Sequence, residues 1–394
     1  MKNFVFLSPN FPSTYYKFCR ELKNNGLRVL GIGDAPYDEL NPELKDALHE
    51  YYKVSSLENY DEVYRAVAFF AFKYGRIDYL ESNNEYWLER DAHLRDDFNI
   101  NTGFHTKDMD SVKYKSKMKK YYEKAGVPVA KYYLVKDIKG CKKFIEEVGY
   151  PVIAKPDNGV GASDTHKIRN EEELVKFFEN KHDCLYIMEE FIDATVNSYD
   201  AIVDSNGNPI FETGNVTVSS LVDVVNENAD SLFYIRKEMP EDLLDAGRRT
   251  IKAFGVKSRM VHFEFFRLNS DQRLGKKGDV VALEVNMRPS GGISPEMMIM
   301  ANGADIYKIW ADMIAYDSTL VSKAEQQYYC GFIGRRDGKA HQMNHDEIIE
   351  KYGSQMKLAQ RVEEALSGAM GNFMYVANFN TEEELFAFYA DLLK

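Results

Sequence analysis

The sequence predicts a Rossmann-like α/β first lobe followed by one or two α+β lobes. Three observations carry this. The opening third alternates short apolar strands with amphipathic helices, the βαβ rhythm of a doubly wound sheet. A later strand ends in Lys155 and runs into the glycine-bearing loop Pro156-Asp-Asn-Gly-Val-Gly-Ala-Ser163. Further on, Val280-Val-Ala-Leu-Glu-Val-Asn-Met-Arg-Pro-Ser-Gly-Gly292 reads as a strand entering a glycine-ended loop.

Taken in order, residues 3–8 are a buried strand, 14–25 a helix stopped by Gly26, and 27–32 a second strand. A helix over 60–73, a strand over 77–81 and a helix over 85–97 complete a first lobe, residues 1–110. A dinucleotide fingerprint would place GxGxxG after the first strand, but Pro9-Asn-Phe-Pro12 stands there. A lysine-rich helix spans 111–125, closed by Gly126-Val-Pro128. Strands at 132–135 and 150–155 and helices at 139–148 and 171–180 fill a small lobe, 111–185. A strand-like run at 185–192, strands at 198–203 and 209–214 and a helix at 241–254 open a larger lobe, 186–325. Strands at 328–333 and 373–377 and helices at 345–352 and 382–393 form a C-terminal α+β extension, 326–394, after a helix at 304–316.

The chain of 394 residues is 44% hydrophobic and 13% aromatic, enough for real cores. Its net charge of −12 argues against nucleic acid or an anionic membrane as the main partner. The four cysteines lack CxxC spacing, so neither a zinc site nor a disulfide framework is indicated. Pro9 and Pro12 cut off the short apolar start, and no apolar run reaches membrane-spanning length. A cytoplasmic protein is expected, with a homodimer as the default assembly.

Alternate residues of a strand share a face. Glu284 and Asn286 therefore point together, with Val281, Leu283 and Val285 toward a core. Val261-His-Phe-Glu-Phe-Phe-Arg267 also alternates, and the polar segment 269–278 can turn the chain back into an antiparallel hairpin. Glu264, Glu284 and Asn286 then make one oxygen-rich patch, with Arg288 at the strand end. Such a set suits Mg²⁺ and phosphate chemistry. The glycine loop after Lys155 lets backbone N–H groups approach phosphate oxygens, and the lysine adds a point charge. His341 and His345 have the spacing of a helical metal pair, but the glutamate of HExxH is missing.

The order of these parts resembles the ATP-grasp superfamily. The elements are the lysine helix with Ala125-Gly-Val-Pro128, Lys155 with its glycine loop, Met188-Glu-Glu-Phe-Ile192, Glu264, and Glu284-x-Asn286-x-Arg288. The likeness is to carboxylate–amine (L-amino acid) ligases and to the biotin carboxylase and carbamoyl phosphate synthase group. It implies a pre-ATP-grasp lobe and a two-lobed ATP-grasp fold around ATP. Lys115, eleven residues before Gly126, and Lys155 would touch phosphates. Asp157, Gly159, Gly161, Ala162 and Ser163 would form the flap over them. Glu189, Glu190 and Ile192 would border adenine, and Asn197, or alternatively Asp193, would take the ribose in place of the usual glutamate. Glu264, Glu284 and Asn286 would hold one or two Mg²⁺ ions, with Mn²⁺ as a substitute. Arg288 would stabilise an acyl phosphate, and Gly291 and Gly292 would meet the second substrate.

The implied activity is ATP-driven joining of a small-molecule carboxylate to an amine. Two alternatives are bicarbonate or carbamate activation and a non-catalytic ATP-binding regulatory module.

Overall fold

The computed structural model describes residues 1–159, 164–219 and 229–394. Strands β1 (Asn3–Leu7), β2 (Arg28–Gly33), β3 (Glu50–Lys53) and β4 (Tyr79–Glu81) form a parallel sheet in the order β3-β2-β1-β4. Apolar runs such as Phe4–Leu7 are buried on both faces, as parallel sheets require. Val5, Leu7, Leu30 and Ile32 pack against Val63, Val67 and Phe70 of helix Tyr60–Tyr74. Phe4 and Phe6 meet Phe18 of helix Tyr16–Asn24 and Trp310 of helix Ile306–Tyr316. That last contact joins the first lobe to the large one through a common core.

β5 (Tyr132–Leu134), β6 (Val152–Pro156), β7 (His166–Ile168) and β8 (Tyr186–Glu190) make a second, antiparallel sheet in the order β5-β8-β6-β7. It is backed by helices Ile138–Val148 and Glu171–Asn180. β8 bonds to both β5 and β6, so the small lobe extends to Glu190, beyond the boundary the sequence suggests at 185.

The third sheet holds β9 (Ala194–Val203), β10 (Pro209–Thr213), β11 (Asn215–Thr217), β12 (Ser231–Ile235), β13 (Arg259–Leu268), β14 (Val280–Asn286), β15 (Tyr329–Arg335), β16 (Met356–Arg361) and β17 (Phe373–Phe379). Its order is β14-β13-β9-β11-β12-β15-β17-β16, with β10 paired to β9. β15 bonds to β12, so the C-terminal segment completes this sheet rather than hanging from it. Helix Glu241–Phe254 lies close on one face. A Cβ at Gly247 would collide with the ring of Tyr199, so only glycine admits this approach. Helices Ser294–Asn302 and Ile306–Tyr316 cover part of the opposite face.

A buried charge network ties β4 to β13. Glu81 pairs with Arg95 at 2.9 Å and with Arg259 at 2.6 Å. Asp91 is fully buried and accepts from Ser82 N at 3.0 Å and Ser82 Oγ at 2.6 Å. Burial pushes the Asp91 carboxyl well up, and neighbouring Glu81 pushes it further. Burial also pushes Glu81 up, but Arg259 and Arg95 pull it below its ordinary value. Asp91 thus carries the proton and Glu81 the charge. Asp91 gains a proton on folding, so its contribution to stability falls as pH rises above the ordinary aspartate range of about 4. Asp91→Asn keeps a neutral acceptor and removes this dependence. Thermal melts should place the variant near the wild type at about pH 4 and above it at about pH 9. An unchanged alkaline loss would refute the assignment.

Candidate active site

β13 and β14 are antiparallel, with Glu264 opposite Glu284 and His262 opposite Asn286. On the other flank of β13, Ser198 lies opposite Glu264 and Asp200 opposite His262. Directly paired residues share a face, so all six side chains line one side of the sheet. The hairpin and its oxygen patch follow the sequence expectation. The apolar alternation does not. A bulge after Glu264 pairs Phe265 with Ala282 and leaves Leu283 without a cross-strand partner. The extra residue resets the period. Ala282 and Val285 join the core behind the sheet, whereas Val281 packs with Phe266, Leu268 and Ile192 on the carboxylate side.

Facing carboxylates need nearby cations, and the structure supplies them. Lys115 Nζ lies 3.4 Å from Glu284 Oε1 and donates to Gly159 O at 3.0 Å. Lys155 Nζ is 2.7 Å from Glu189 Oε2, and Lys119 Nζ rests against Glu189 Oε1. His262 places Nδ1 2.8 Å from Asp200 Oδ1 and Nε2 3.3 Å from Glu264 Oε1. Ser198 Oγ donates to the second Asp200 oxygen. Arg288 Nη2 donates to Asn286 Oδ1 at 3.3 Å, and Nη1 to Pro289 O at 2.7 Å.

These contacts set the charge states. Burial pushes Glu189 up, but Lys119 and Lys155 outweigh it and hold the carboxyl at about 2. Burial pushes His262 down, yet Asp200 and Glu264 lift it to about 9, an imidazolium at neutral pH. Burial raises Glu264, while His262, Arg288 and Lys155 bring it below its ordinary value. Glu284 goes the other way: burial raises it, Glu264 raises it further, and Lys115 only partly offsets both. Burial would lower Lys155, and Glu189 and Glu284 keep its ammonium raised instead.

The placement of Lys115 depends on a break that the sequence reading misses. In place of one helix over 111–125 there are two, Met109–Lys113 and Lys115–Lys124, parted at the extended Tyr114. Asp157 anchors the second start. Its backbone oxygen accepts from Lys115 N at 2.9 Å, and its carboxylate accepts from Ser116 N and Ser116 Oγ, each at 2.7 Å. Asp157 therefore holds the start of the helix that carries Lys115, with one hydrogen bond from Ser116 on each carboxylate oxygen. Gly159 contributes its carbonyl; Gly161, Ala162 and Ser163 lie outside the described residues.

Around the strand end of β8, Glu189 points into the cleft and Glu190 points out. The Glu190 carboxylate accepts from Lys131 N at 2.6 Å and from Arg273. The Glu190 backbone N–H donates to Lys131 O at 3.1 Å. Ile192 is buried against Phe266, Leu268 and Val281, an apolar floor beside the carboxylates. Asn197 does not face this cleft. It pairs with Phe265, whose ring packs on the opposite side, and its amide oxygen accepts from Arg236 Nη2 at 2.7 Å. A ribose role for Asn197 is corrected by this parity, and Ser198 is the residue on the site face. At the far end, Gly291 is open, and Gly292 has φ +61° with Met370 where a Cβ would stand. His341 bonds to Asp230 and His345 to Tyr375, so the two histidines do not converge.

Sequence reasoning missed Lys119, His262's second partner Asp200, and Asp157's true task. The first carried a signal: Lys115 and Lys119 are spaced i, i+4 on one helix, which puts both on one face.

Glu264, Glu284 and Asn286 fit a hard divalent cation. The Lys115 ammonium at Glu284 shows that this carboxylate accepts a cation from the cleft side. Among the described residues no cluster of three or more His, Cys, Asp or Glu side chains is arranged for a metal, and Asn286 would add an amide oxygen to the two carboxylates. Mg²⁺ suits so sparse a set, because it keeps waters and substrate phosphates in its shell.

A family model described as an ATP-grasp domain matches residues 112–292. Over those residues the chain is similar to an ATP-grasp domain. The matched span contains Lys115, Lys155, Glu189, Glu264, Glu284, Asn286 and Arg288. Two curated relatives are similar to parts of the chain. The 2-oxoglutarate carboxylase small subunit of Hydrogenobacter thermophilus is 35% identical over 82 residues, 20% of this chain and 17% of that protein. The L-arginine-specific L-amino acid ligase of Bacillus subtilis is 25% identical over 230 residues, 56% of this chain and 53% of that protein. The chain thus spans about half the length of one and a sixth of the other. The crystal structure of an L-amino acid ligase from Bacillus licheniformis superposes with a TM-score of 0.69 at 14% identity, covering 99% of this chain and 96% of that one. This shows a shared fold. No helix among the described residues is long and apolar enough to cross a membrane.

Asp157→Ala removes the acceptor from Ser116 N and Oγ, at a cost of about 1–2 kcal/mol by comparison with other helix-start acceptors. It also frees Lys115 from its aim. Melts and ADP titration should show a modest stability loss together with weaker nucleotide binding. Ser116→Ala should give the smaller effect on both; the reverse order would refute the anchoring role.

Proposed function

We propose that the chain is an ATP-dependent carboxylate–amine ligase acting through an acyl phosphate, with release of ADP and phosphate. The observation that carries this reading is the shared face of Glu264, Glu284 and Asn286, ending at Arg288 and the open Gly291. An intact oxygen set beside a guanidinium favours turnover over a purely regulatory module. The name of the Bacillus subtilis relative points the same way.

In this reading a substrate carboxylate oxygen attacks the γ-phosphorus of ATP and ADP leaves. The amine then attacks the acyl carbon, and phosphate departs. Lys115 and Lys155 neutralise phosphate charge. Ile192 and the apolar floor at Phe266 and Val281 take the base, and backbone groups of Glu189 and Glu190 meet its edge. One or two Mg²⁺ ions, when bound, supply further charge neutralisation at Glu264, Glu284 and Asn286. His262 holds Glu264 in place from behind. Arg288 offers a guanidinium where negative charge grows on the transferring group, and fixed charges of this kind act without reorganisation. Gly291 leaves its backbone accessible to the second substrate.

The test is ADP and phosphate release over panels of carboxylates and amines, with bicarbonate included. An active pair is expected. Glu284→Ala and Arg288→Ala should each lower its turnover by about 100-fold or more. Silence across all pairs, or full activity in both variants, refutes the reading. Turnover that depends on bicarbonate would move the assignment to the carboxylating class.

A further inference from the structure

We propose that Lys119 is a positioning residue of the nucleotide site: it holds Glu189 so that Lys155 can leave that carboxylate for a phosphate. This rests on the ATP reading of the cleft. Lys115 and Lys119 stand one turn apart on helix Lys115–Lys124 and are 4% and 3% exposed. All three cleft ammonium groups are engaged. Lys115 is on Glu284 and Gly159 O, Lys155 is on one Glu189 oxygen, and Lys119 is on the other.

A polyphosphate that recruits Lys115 and Lys155 takes a cation from the half-buried Glu284 and from the buried Glu189. Glu284 belongs to the oxygen set that fits a divalent ion, so its lost partner is replaced. Glu189 has no such replacement. It sits on β8 in the other sheet with only 7% of its side chain exposed, so water does not solvate it. A buried carboxylate stripped of its partner is strongly disfavoured. Lys119 removes that penalty, because it stays when Lys155 turns away. The arrangement also accounts for an oddity of the structure. Two buried ammonium groups on one carboxylate exceed what neutrality requires, and each costs desolvation. The surplus makes sense if one of the two is on loan.

The experiment is a double-mutant cycle read by calorimetric titration of ADP, without metal and with Mg²⁺, on the full chain. Lys119→Met should weaken ADP binding about 10- to 100-fold, because Lys155 becomes the sole partner of Glu189. In a Glu189→Gln background the same change should cost less than about twofold. Lys119→Arg should recover most of the loss. A second measurement needs no variant: in a crystal structure of the wild type with ADP, Lys119 Nζ should remain on Glu189 and Lys155 Nζ should lie beyond about 4 Å from it. Equal losses in both backgrounds, unaltered binding by Lys119→Met, or Lys155 still paired with Glu189 in the complex each overturn the proposal. A wild type that gives a flat ADP titration overturns the nucleotide reading beneath it, which the cycle keeps distinct.

Discussion

The site is organised by one electrostatic constraint: Glu264 and Glu284 stand opposite each other on paired strands and are taken out of bulk water. Side chains in that relation lie roughly 5 Å apart. At an effective dielectric near 20, two full charges at that separation would repel by about 3 kcal/mol. The surroundings answer this from every side. Lys115 arrives from a helix, His262 from the same strand, Arg288 from the strand end and Lys155 from the other sheet. Three of these are in turn fixed by something behind them. Asp157 sets the start of the Lys115 helix, Asp200 holds the far nitrogen of His262, and Glu189 holds Lys155. The opposite shifts of the two carboxylates are the residue of this contest, with Glu264 better served than Glu284.

Much of this was legible in the sequence, and the reason is parity. Strict alternation in the runs around Glu264 and Glu284 fixes which side chains point together, and a polar connection between them implies the hairpin. Asn197 was placed by the family resemblance, and parity within the strand alone does not check that placement. Alternation says that Asn197 and Ser198 face opposite ways, but not which of them faces the site. That depends on pairing with β13, and a shift of one residue exchanges the two. The bulge after Glu264 is likewise a property of two strands together, so Leu283 reads as a core residue until its partner is known. Asp157 was placed by its position in the loop after Lys155, yet its partners lie on a helix far earlier in the chain. The break at Tyr114 is similarly tertiary: an uninterrupted lysine-rich run has no local reason to stop there.

The lobes were found more easily than their edges. Composition gives no hint that β15 continues the central sheet through β12, because sheet order is not written in chain order. Nor does it show that the first lobe is fastened twice to the rest, once through Trp310 among Phe4, Phe6 and Phe18, and once through Glu81 between Arg95 and Arg259. The first fastening is apolar and the second charged, so the junction responds to pH as well as to packing. β8 carries Glu189 while belonging to the small sheet, which places a cleft carboxylate on one side and the oxygen set on the other.

The turn at Gly292 closes against Met370, which comes from the short helix Glu364–Met370 near the C-terminal strands. The wall beside the open Gly291 is therefore assembled from two stretches of chain that are remote in sequence. Transplanting the Arg288–Gly292 loop from a relative would carry only half of that wall. Engineering of substrate choice in this scaffold has to treat the loop and the Met370 helix as one inherited unit, redesigned together or left together.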